Sequence, residues 1–345
     1  MVQDSNKNSE KNFWYIVAES SELKSKPIKR QILGELLVCF RDKDGKPVVF
    51  LDCCLHRSGQ LSQGWVEDGA LVCPYHGWKY DSGGHVCRVP SEGPESPLLK
   101  KSLKTKKILC KEEQGYIYVL LGEQSLGEPF RYPYFKQKNW ATVRLKNFFH
   151  NNVTNCVENF IDIPHTVFVH DAIFRLEKGH KVEALVKRQN GQVHTSYKNE
   201  TNNLGSFSWF LNPSGGEIKH IDIFFTPNIT NVTYDFPNGW KYVITSQSVP
   251  VSNWQTMVYT DITYDFGFWT KLAWPIVKRQ AQKVIDQDLR ILKEQGENIK
   301  LFRRKFINTE ADLIHELITE LRDTLQEGED PLGLPDKEVE ISFFI

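Results

Sequence analysis

Cys54-Leu55-His56 and, after sixteen intervening residues, Cys73-Pro74-Tyr75-His76 are two short pairs of metal-ligating side chains. Thiolate and imidazole together suit iron, zinc or copper rather than the hard cations. Four cysteines would point to structural zinc or an all-cysteine iron–sulfur cluster, and a Cys2His2 zinc finger sets both cysteines before both histidines. Here each loop gives one of each. That alternation suits a [2Fe–2S] centre in which two cysteines hold one iron and two histidines hold the other. The competing reading is a zinc ribbon or two chance pairs. Cys53 adjoins the first pair, but the Cys-x-His register selects Cys54.

A second constellation lies at Asp162-x-x-His165-x4-His170. Two histidines five residues apart converge where a helix end or turn runs into the next segment. Two histidines and one carboxylate, with coordination positions left open, form the facial triad of O2-using iron(II) sites.

Together these motifs resemble a known family. Cys54-Leu55-His56-Arg57 and Cys73-Pro74-Tyr75-His76-Gly77-Trp78 resemble the two ligand loops of Rieske proteins, and Gly59, Gly64 and Gly77 are expected to supply tight, positive-φ turns there. With the 162–170 motif downstream, the chain resembles the oxygenase (α) subunit of Rieske non-haem iron oxygenases over almost its full length. It looks most like the α-only group of vanillate-type demethylases, ketosteroid hydroxylases and saxitoxin-pathway oxygenases. The resemblance implies a homotrimer in which Asp162 hydrogen-bonds His165 within its subunit and His76 across the interface. A carboxylate between two imidazoles orients both. Asn159, in a family-like Glu-Asn-Phe-x-Asp context, is a weaker supporting candidate.

The third iron ligand has to come from downstream. In the helix expected over about 275–295, the apolar stripe runs Val277, Ala281, Val284/Ile285 and Leu292, and Asp288 falls on it. A carboxylate on a buried face is costly unless it is paired or binds metal. Asp286, the alternative, falls among Arg279, Gln282, Lys283, Arg290 and Lys293. The segment Gln287-Asp288-Leu289-Arg290-Ile291 also resembles the family's third-ligand segment.

The resemblance implies a terminal oxygenase of a multicomponent monooxygenase, hydroxylating or O-/N-demethylating a small organic substrate. No Gly-x-Gly-x-x-Gly follows a strand, so NAD(P)H is expected to act through a separate reductase or ferredoxin. The alternatives are the α subunit of a ring cis-dihydroxylating dioxygenase, or a Rieske electron carrier or redox sensor without turnover.

These side chains need two kinds of scaffold. The fold class expected is α+β. A tail over 1–12 precedes a small antiparallel β domain (13–140) with the cluster at its tip, and a Pro- and aromatic-rich stretch at 127–140 leads to a catalytic domain (141–345). That domain is expected to have a central antiparallel sheet flanked by helices, like a helix grip. Strands are expected at 13–18, 32–41, 48–51, 70–72, 79–80, 108–110 and 116–121, then at 193–198, 206–210, 221–225, 229–234, 240–249 and 255–265. The last helix, about 310–327, has Thr309 as its N-cap and Leu313, Leu317, Leu321 and Leu325 as its packing face. His315 is expected to face solvent. Phe168, Phe207, Trp209, Phe224, Tyr234, Trp240 and Phe266 are candidate pocket residues, whereas the substrate itself is not legible.

The 345 residues suffice for two domains. A formal net charge of zero gives no global field for nucleic acid. Seven cysteines, an odd number in a long chain, argue against a disulfide framework. The polar N-terminus has no signal-peptide core, and no run of about 18 apolar residues occurs. A cytoplasmic protein without membrane segments is the expectation.

Overall fold

The computed structural model describes residues 9–170, 179–198 and 208–345. The chain divides into two compact units. One is Lys11–Arg131, and the other is Tyr132–Ile345 together with Ser9 and Glu10. Of the tail expected over 1–12, residues 1–8 lie outside the described residues and Ser9–Asn12 form a 3-10 turn.

The first unit holds two antiparallel sheets. The larger runs, in spatial order, Trp14–Glu19, Tyr116–Leu120, Lys107–Glu113, Pro47–Leu51, Glu35–Arg41 and Ile28–Ile32. The smaller is Trp65–Glu67, Ala70–Val72, Lys79–Tyr80 and Val86–Arg88. Val38, Phe40, Phe50, Leu71, Trp78 and Tyr80 share one core with both candidate ligand cysteines. The single strand expected over 32–41 is instead a hairpin. Leu33 (φ 49°) and Gly34 (φ 80°) are both left-handed, the signature of a tight two-residue turn, so Ile28–Ile32 folds back on Glu35–Arg41.

The second unit is an eight-stranded antiparallel sheet. Its spatial order is Ala141–Phe149, Gln255–Asp265, Lys241–Ser252, Ile229–Asp235, Lys219–Phe225, Gln192–Lys198, Lys181–Gln189 and Lys337–Phe344. Among the described residues, five helices accompany it: α1 (Val153–Asn159), α2 (Thr166–Val169), α3 (Ser208–Leu211), α4 (Thr270–Phe302) and α5 (Leu313–Gln326). Helix and sheet follow their side-chain periods. Val182, Ala184 and Val186 alternate inward on their strand, and Val277, Ala281, Ile285 and Leu292 recur at helical spacing along α4.

Three expectations need correction here. Residues 208–211 are helical, so the strand expected over 206–210 does not extend into them. Helix α4 is longer at both ends than 275–295, because its apolar stripe continues to the buried Gly296 and its start at Thr270 precedes Pro275. His315 does not face solvent: its side chain is 20% exposed and lies on the face of α5 that packs against α1. Thr309 does begin the last helical segment, its backbone N–H donating to the Asp312 carboxylate at 2.7 Å. Among the described residues no helix is long and apolar enough to cross a membrane.

Candidate metal centres

The two Cys/His loops are built alike. Cys54 N–H donates to Gly59 O (2.9 Å) and Ser58 N–H to Cys54 O (2.9 Å). In the second loop, Cys73 N–H donates to Trp78 O (2.9 Å) and Gly77 N–H to Cys73 O (3.1 Å). Each closes on a left-handed residue four places after the cysteine, Ser58 (φ 54°) and Gly77 (φ 71°). Of the three glycines expected to provide positive φ, only Gly77 does. Gly64 is needed for a different reason, since a Cβ there would sit 1.9 Å from Val72 O, directly before Cys73. Gly64→Ala is therefore expected to displace the second loop and abolish cluster loading, as read from visible absorbance of the purified protein.

The four side chains arrive as a cysteine pair and a histidine pair. Cys54 and Cys73 are buried, their sulfurs in mutual contact, and Tyr75 and His76 backbone N–H groups donate to Cys73. The His56 and His76 rings meet edge to face, 4.5 Å between centroids, with His76 exposed and His56 half-buried. Trp78 stacks on His56 at 4.9 Å. Burial, His76 and Arg57 together lower the His56 pKa, which favours the neutral imidazole that ligates metal. His56 Nδ1 is buried and has no hydrogen-bond partner among the described residues. An orphaned imidazole nitrogen beside a second imidazole, with two thiols behind, fits a [2Fe–2S] cluster bound by both pairs.

Tyr80 was not anticipated from the sequence. Its hydroxyl accepts from Leu55 N–H (3.0 Å) and stands 3.1 Å from Cys54 Sγ, to which it can donate. Burial and then Cys54 push the phenol pKa up, so it keeps its proton. A donor to a cluster sulfur favours the more negative, reduced state. Tyr80→Phe should lower the reduction potential by about 50 mV, the one-electron equivalent of a ~1 kcal/mol hydrogen bond. Protein-film voltammetry would read this.

In the second unit, α1 starts at Asn152, whose side chain accepts Asn155 N–H (2.8 Å). Pro164 disfavours continuous helix through this stretch, and the single turn α2 follows. His165 precedes α2 and His170 follows it, so both imidazoles point to one side. Asp288 reaches the same point from the buried face of α4 and is 4% exposed. His165 Nε2 lies 3.2 Å from His170 Nε2, and Asp288 Oδ1 lies 3.6 and 3.3 Å from these two nitrogens. This is the one group of three or more ligand-type side chains, among the described residues, whose donor atoms all lie within 4.8 Å. Asp286, the alternative, is exposed and accepts from Gln282 (2.8 Å).

Lone-pair atoms so close together, with Asp288 Oδ1 otherwise unpartnered, fit a divalent cation held between them. The supporting contacts agree. Gln287 Oε1 is an acceptor 3.0 Å from His170 Nδ1, which places the proton on Nδ1 and leaves Nε2 for the metal. Gln287 also escaped the sequence reading, although it directly precedes Asp288. Asp162 Oδ2 stands 3.4 Å from His165 Nδ1, a charge contact not aligned as a full hydrogen bond. Asn159 Nδ2 lies 3.5 Å from His165 Nε2, on the metal side.

Burial alone would lower the His165 pKa, but the Asp162 and Asp288 carboxylates outweigh it and push it up to about 9. Burial raises both carboxyls, yet His165 holds Asp162 low and His165 with His170 holds Asp288 low. Below about pH 9 a metal must therefore displace a proton from His165. Fe(II) affinity should rise roughly tenfold per pH unit from 6.5 to 8.5, as measured by anaerobic chelator competition.

The triad opens into a cavity of about 670 Å³. Its wall is largely apolar, including Phe236, Tyr242, Ile244 and Ile262, with a polar corner at His220 and Asp222. Of the pocket candidates, Tyr234 and Phe266 line it. Phe168 is exposed, Phe224 belongs to the core, and Trp240 packs behind the wall against Phe210 and Phe266. Phe207 and the side chain of Trp209 lie outside the described residues.

Comparison with known proteins agrees with this layout. A Rieske [2Fe-2S] domain matches residues 13–114, and the vanillate O-demethylase oxygenase C-terminal domain matches 149–317. The oxygenase component of dicamba O-demethylase from Stenotrophomonas maltophilia is 32% identical over 54% of this chain and 56% of its own. Methylxanthine N1-demethylase NdmA from Pseudomonas putida is 31% identical over 54% and 55%. The chloroplastic chlorophyllide a oxygenase of Oryza sativa subsp. japonica is 27% identical over 84% and 52%. The chain thus spans about half the length of the curated relatives it matches. The crystal structure of dicamba monooxygenase bound to dicamba superimposes with a TM-score of 0.80 at 20% identity, covering 92% of this chain and 97% of that one. With its Rieske domain followed by a vanillate O-demethylase-type oxygenase domain, the chain belongs to the Rieske non-haem iron oxygenases.

Proposed function

We propose that the chain is the terminal oxygenase component of a multicomponent Rieske monooxygenase that hydroxylates, or O- or N-demethylates, a small organic substrate. The observation that carries this reading is the His165–His170–Asp288 triad at the wall of a largely apolar cavity. Cys54, Cys73, His56 and His76 would hold the [2Fe–2S] cluster, and His165, His170 and Asp288 the mononuclear iron(II). When bound, the cluster relays single electrons and the iron activates O2. Overall, substrate C–H, O2, two electrons and two protons give C–OH and water, and a hydroxylated methyl group leaves as formaldehyde.

The protein's own residues supply position and exclusion. Gln287 and Asp162 fix the imidazoles of His170 and His165. The apolar wall desolvates the substrate and keeps its C–H bond beside the triad. Asp162 keeps 23% of its side chain exposed, which leaves it accessible to His76 of a neighbouring subunit in a homotrimer. No disulfide joins any of the seven cysteines, in keeping with a reducing, cytoplasmic setting and electrons delivered by a separate reductase or ferredoxin.

The reading is tested by O2 uptake with a surrogate ferredoxin and reductase over a panel of methoxy- and N-methyl-arenes. Formaldehyde or alcohol carrying one labelled oxygen from 18O2 is the expected product. A cis-diol labelled at both positions would indicate a dioxygenase, and no substrate-linked uptake an electron carrier or sensor.

A further inference from the structure

The polar corner of the cavity is assembled from three adjacent strands. Gln192–Lys198 contributes Tyr197, Lys219–Phe225 contributes His220 and Asp222, and Ile229–Asp235 contributes Tyr234. The His220 imidazole lies between two phenol rings, with centroids 4.7 Å from Tyr197 and 4.3 Å from Tyr234. Its Nε2 stands 2.9 Å from Asp222 Oδ1, and the Tyr197 hydroxyl donates to Asp222 Oδ2 at 2.9 Å. An ionised carboxylate only accepts, so Nε2 carries the proton. His220 and Asp222 are 3% and 2% exposed, yet both border the cavity.

Strand register does not call for this network. Backbone pairing already joins the three strands, and a buried ionisable pair is often no better for stability than apolar side chains of similar volume. What the pair adds is hydrogen-bonding capacity in a largely apolar wall. A strip of hydroxyls extends it. Thr230, Ser246 and Thr260 stand directly opposite one another across neighbouring strands and all border the cavity, with Ser246 Oγ 3.0 Å from Thr260 Oγ1.

The charges of the wall are matched among themselves. Among the described residues no Lys or Arg borders the cavity, and three carboxylates do. Asp288 belongs to the metal triad, Asp162 faces His165, and Asp222 is engaged by His220 and Tyr197. A substrate anion would meet no lysine or arginine, and a substrate cation no carboxylate without a partner of its own. Either would lose its hydration without a dedicated counter-charge, which is costly. A neutral hydrogen-bonding group pays no such cost.

We propose that the cavity takes an uncharged, largely apolar substrate bearing a hydroxyl, carbonyl or amide group, and that the His220–Asp222 pair is the specificity-determining site that binds this group. The proposal rests on the cavity being the substrate site of a Rieske monooxygenase.

The test uses the full-length protein loaded with cluster and iron. Benzamide, naphthamide and anthracene carboxamide are each compared with the matching carboxylic acid, aminomethyl arene and parent arene by anaerobic equilibrium dialysis at neutral pH. At least one amide is expected to bind at least about tenfold more tightly than its anionic and its cationic analogue. In His220→Phe/Asp222→Leu, which removes both members and leaves no buried charge alone, that amide should lose about tenfold while its parent arene stays within about threefold. Retained mononuclear iron shows that the variant is folded; if iron is lost, His220→Gln, which can still donate to Asp222, takes its place under the same criteria. A series in which no amide outbinds both charged analogues, or a variant that weakens amide and arene equally, would overturn the inference. Binding is read without turnover, so the two readings fail separately. Preferential amide binding with no substrate-linked O2 uptake from any compound would count against the oxygenase reading, whereas uptake driven by the acids and not the amides would sink this inference alone.

Discussion

Asp288→Ala is expected to lose its mononuclear iron and all detectable substrate oxidation while keeping its [2Fe–2S] absorbance. The carboxylate is 4% exposed, and its Oδ1 stands 3.3 and 3.6 Å from the two imidazole nitrogens. Removing it leaves two neutral ligands, which weakens a divalent ion by far more than the 10–100-fold of an outer-shell change. The four cluster-loop residues lie in the other compact unit, so their environment is retained. Asp286→Ala is the internal control. That side chain is exposed and accepts from Gln282 one helical turn away, so iron content and turnover should stay within about twofold of wild type. Colorimetric iron analysis and substrate-dependent O2 uptake, run on both variants, decide the matter.

Asp162→Asn is expected to retain both metal sites and yet turn over at least about 100-fold more slowly. The substitution keeps shape and removes charge. His165 loses the carboxylate that orients its Nδ1 side, a loss that outweighs the eased proton competition at Nε2, so Fe(II) affinity falls by about tenfold and saturating iron restores occupancy. In the proposed trimer the larger effect falls on transfer from a neighbouring subunit's cluster, for which the anionic carboxylate would hold both imidazoles. Stopped-flow reoxidation of the reduced cluster separates these effects. Rapid cluster reoxidation in an iron-loaded Asp162→Asn protein would remove Asp162 from the electron path.

How much of this was legible in the sequence depended on the range of the interactions. The Cys/His loops could be read because ligand type and spacing are local, and the helix period put Asp288 on the buried face and Asp286 on the exposed one. Backbone detail was read less well. Ser58, not Gly59, supplies the left-handed turn of the first loop, since the hydrogen bond from its own N–H to Cys54 O fixes that geometry despite the cost to a non-glycine residue. The edge pairing of Lys337–Phe344 with Lys181–Gln189 joins segments about 150 residues apart, and alternation within either one says nothing of its partner. Tyr80 on Cys54 and Gln287 on His170 were missed for the same reason. Each is an ordinary residue by composition and acquires its role only from a tertiary contact.

The most direct test of the central claim is iron content and electron-spin resonance of the anaerobically purified wild-type protein, beside His165→Ala. The account predicts about three irons per chain, two in a cluster with the reduced-state signal of mixed cysteine–histidine ligation and one mononuclear. His165→Ala should retain the cluster signal and about two irons. If the wild type holds only two irons and His165→Ala is indistinguishable from it, the triad is not a metal site and the chain is an electron carrier or sensor rather than an oxygenase.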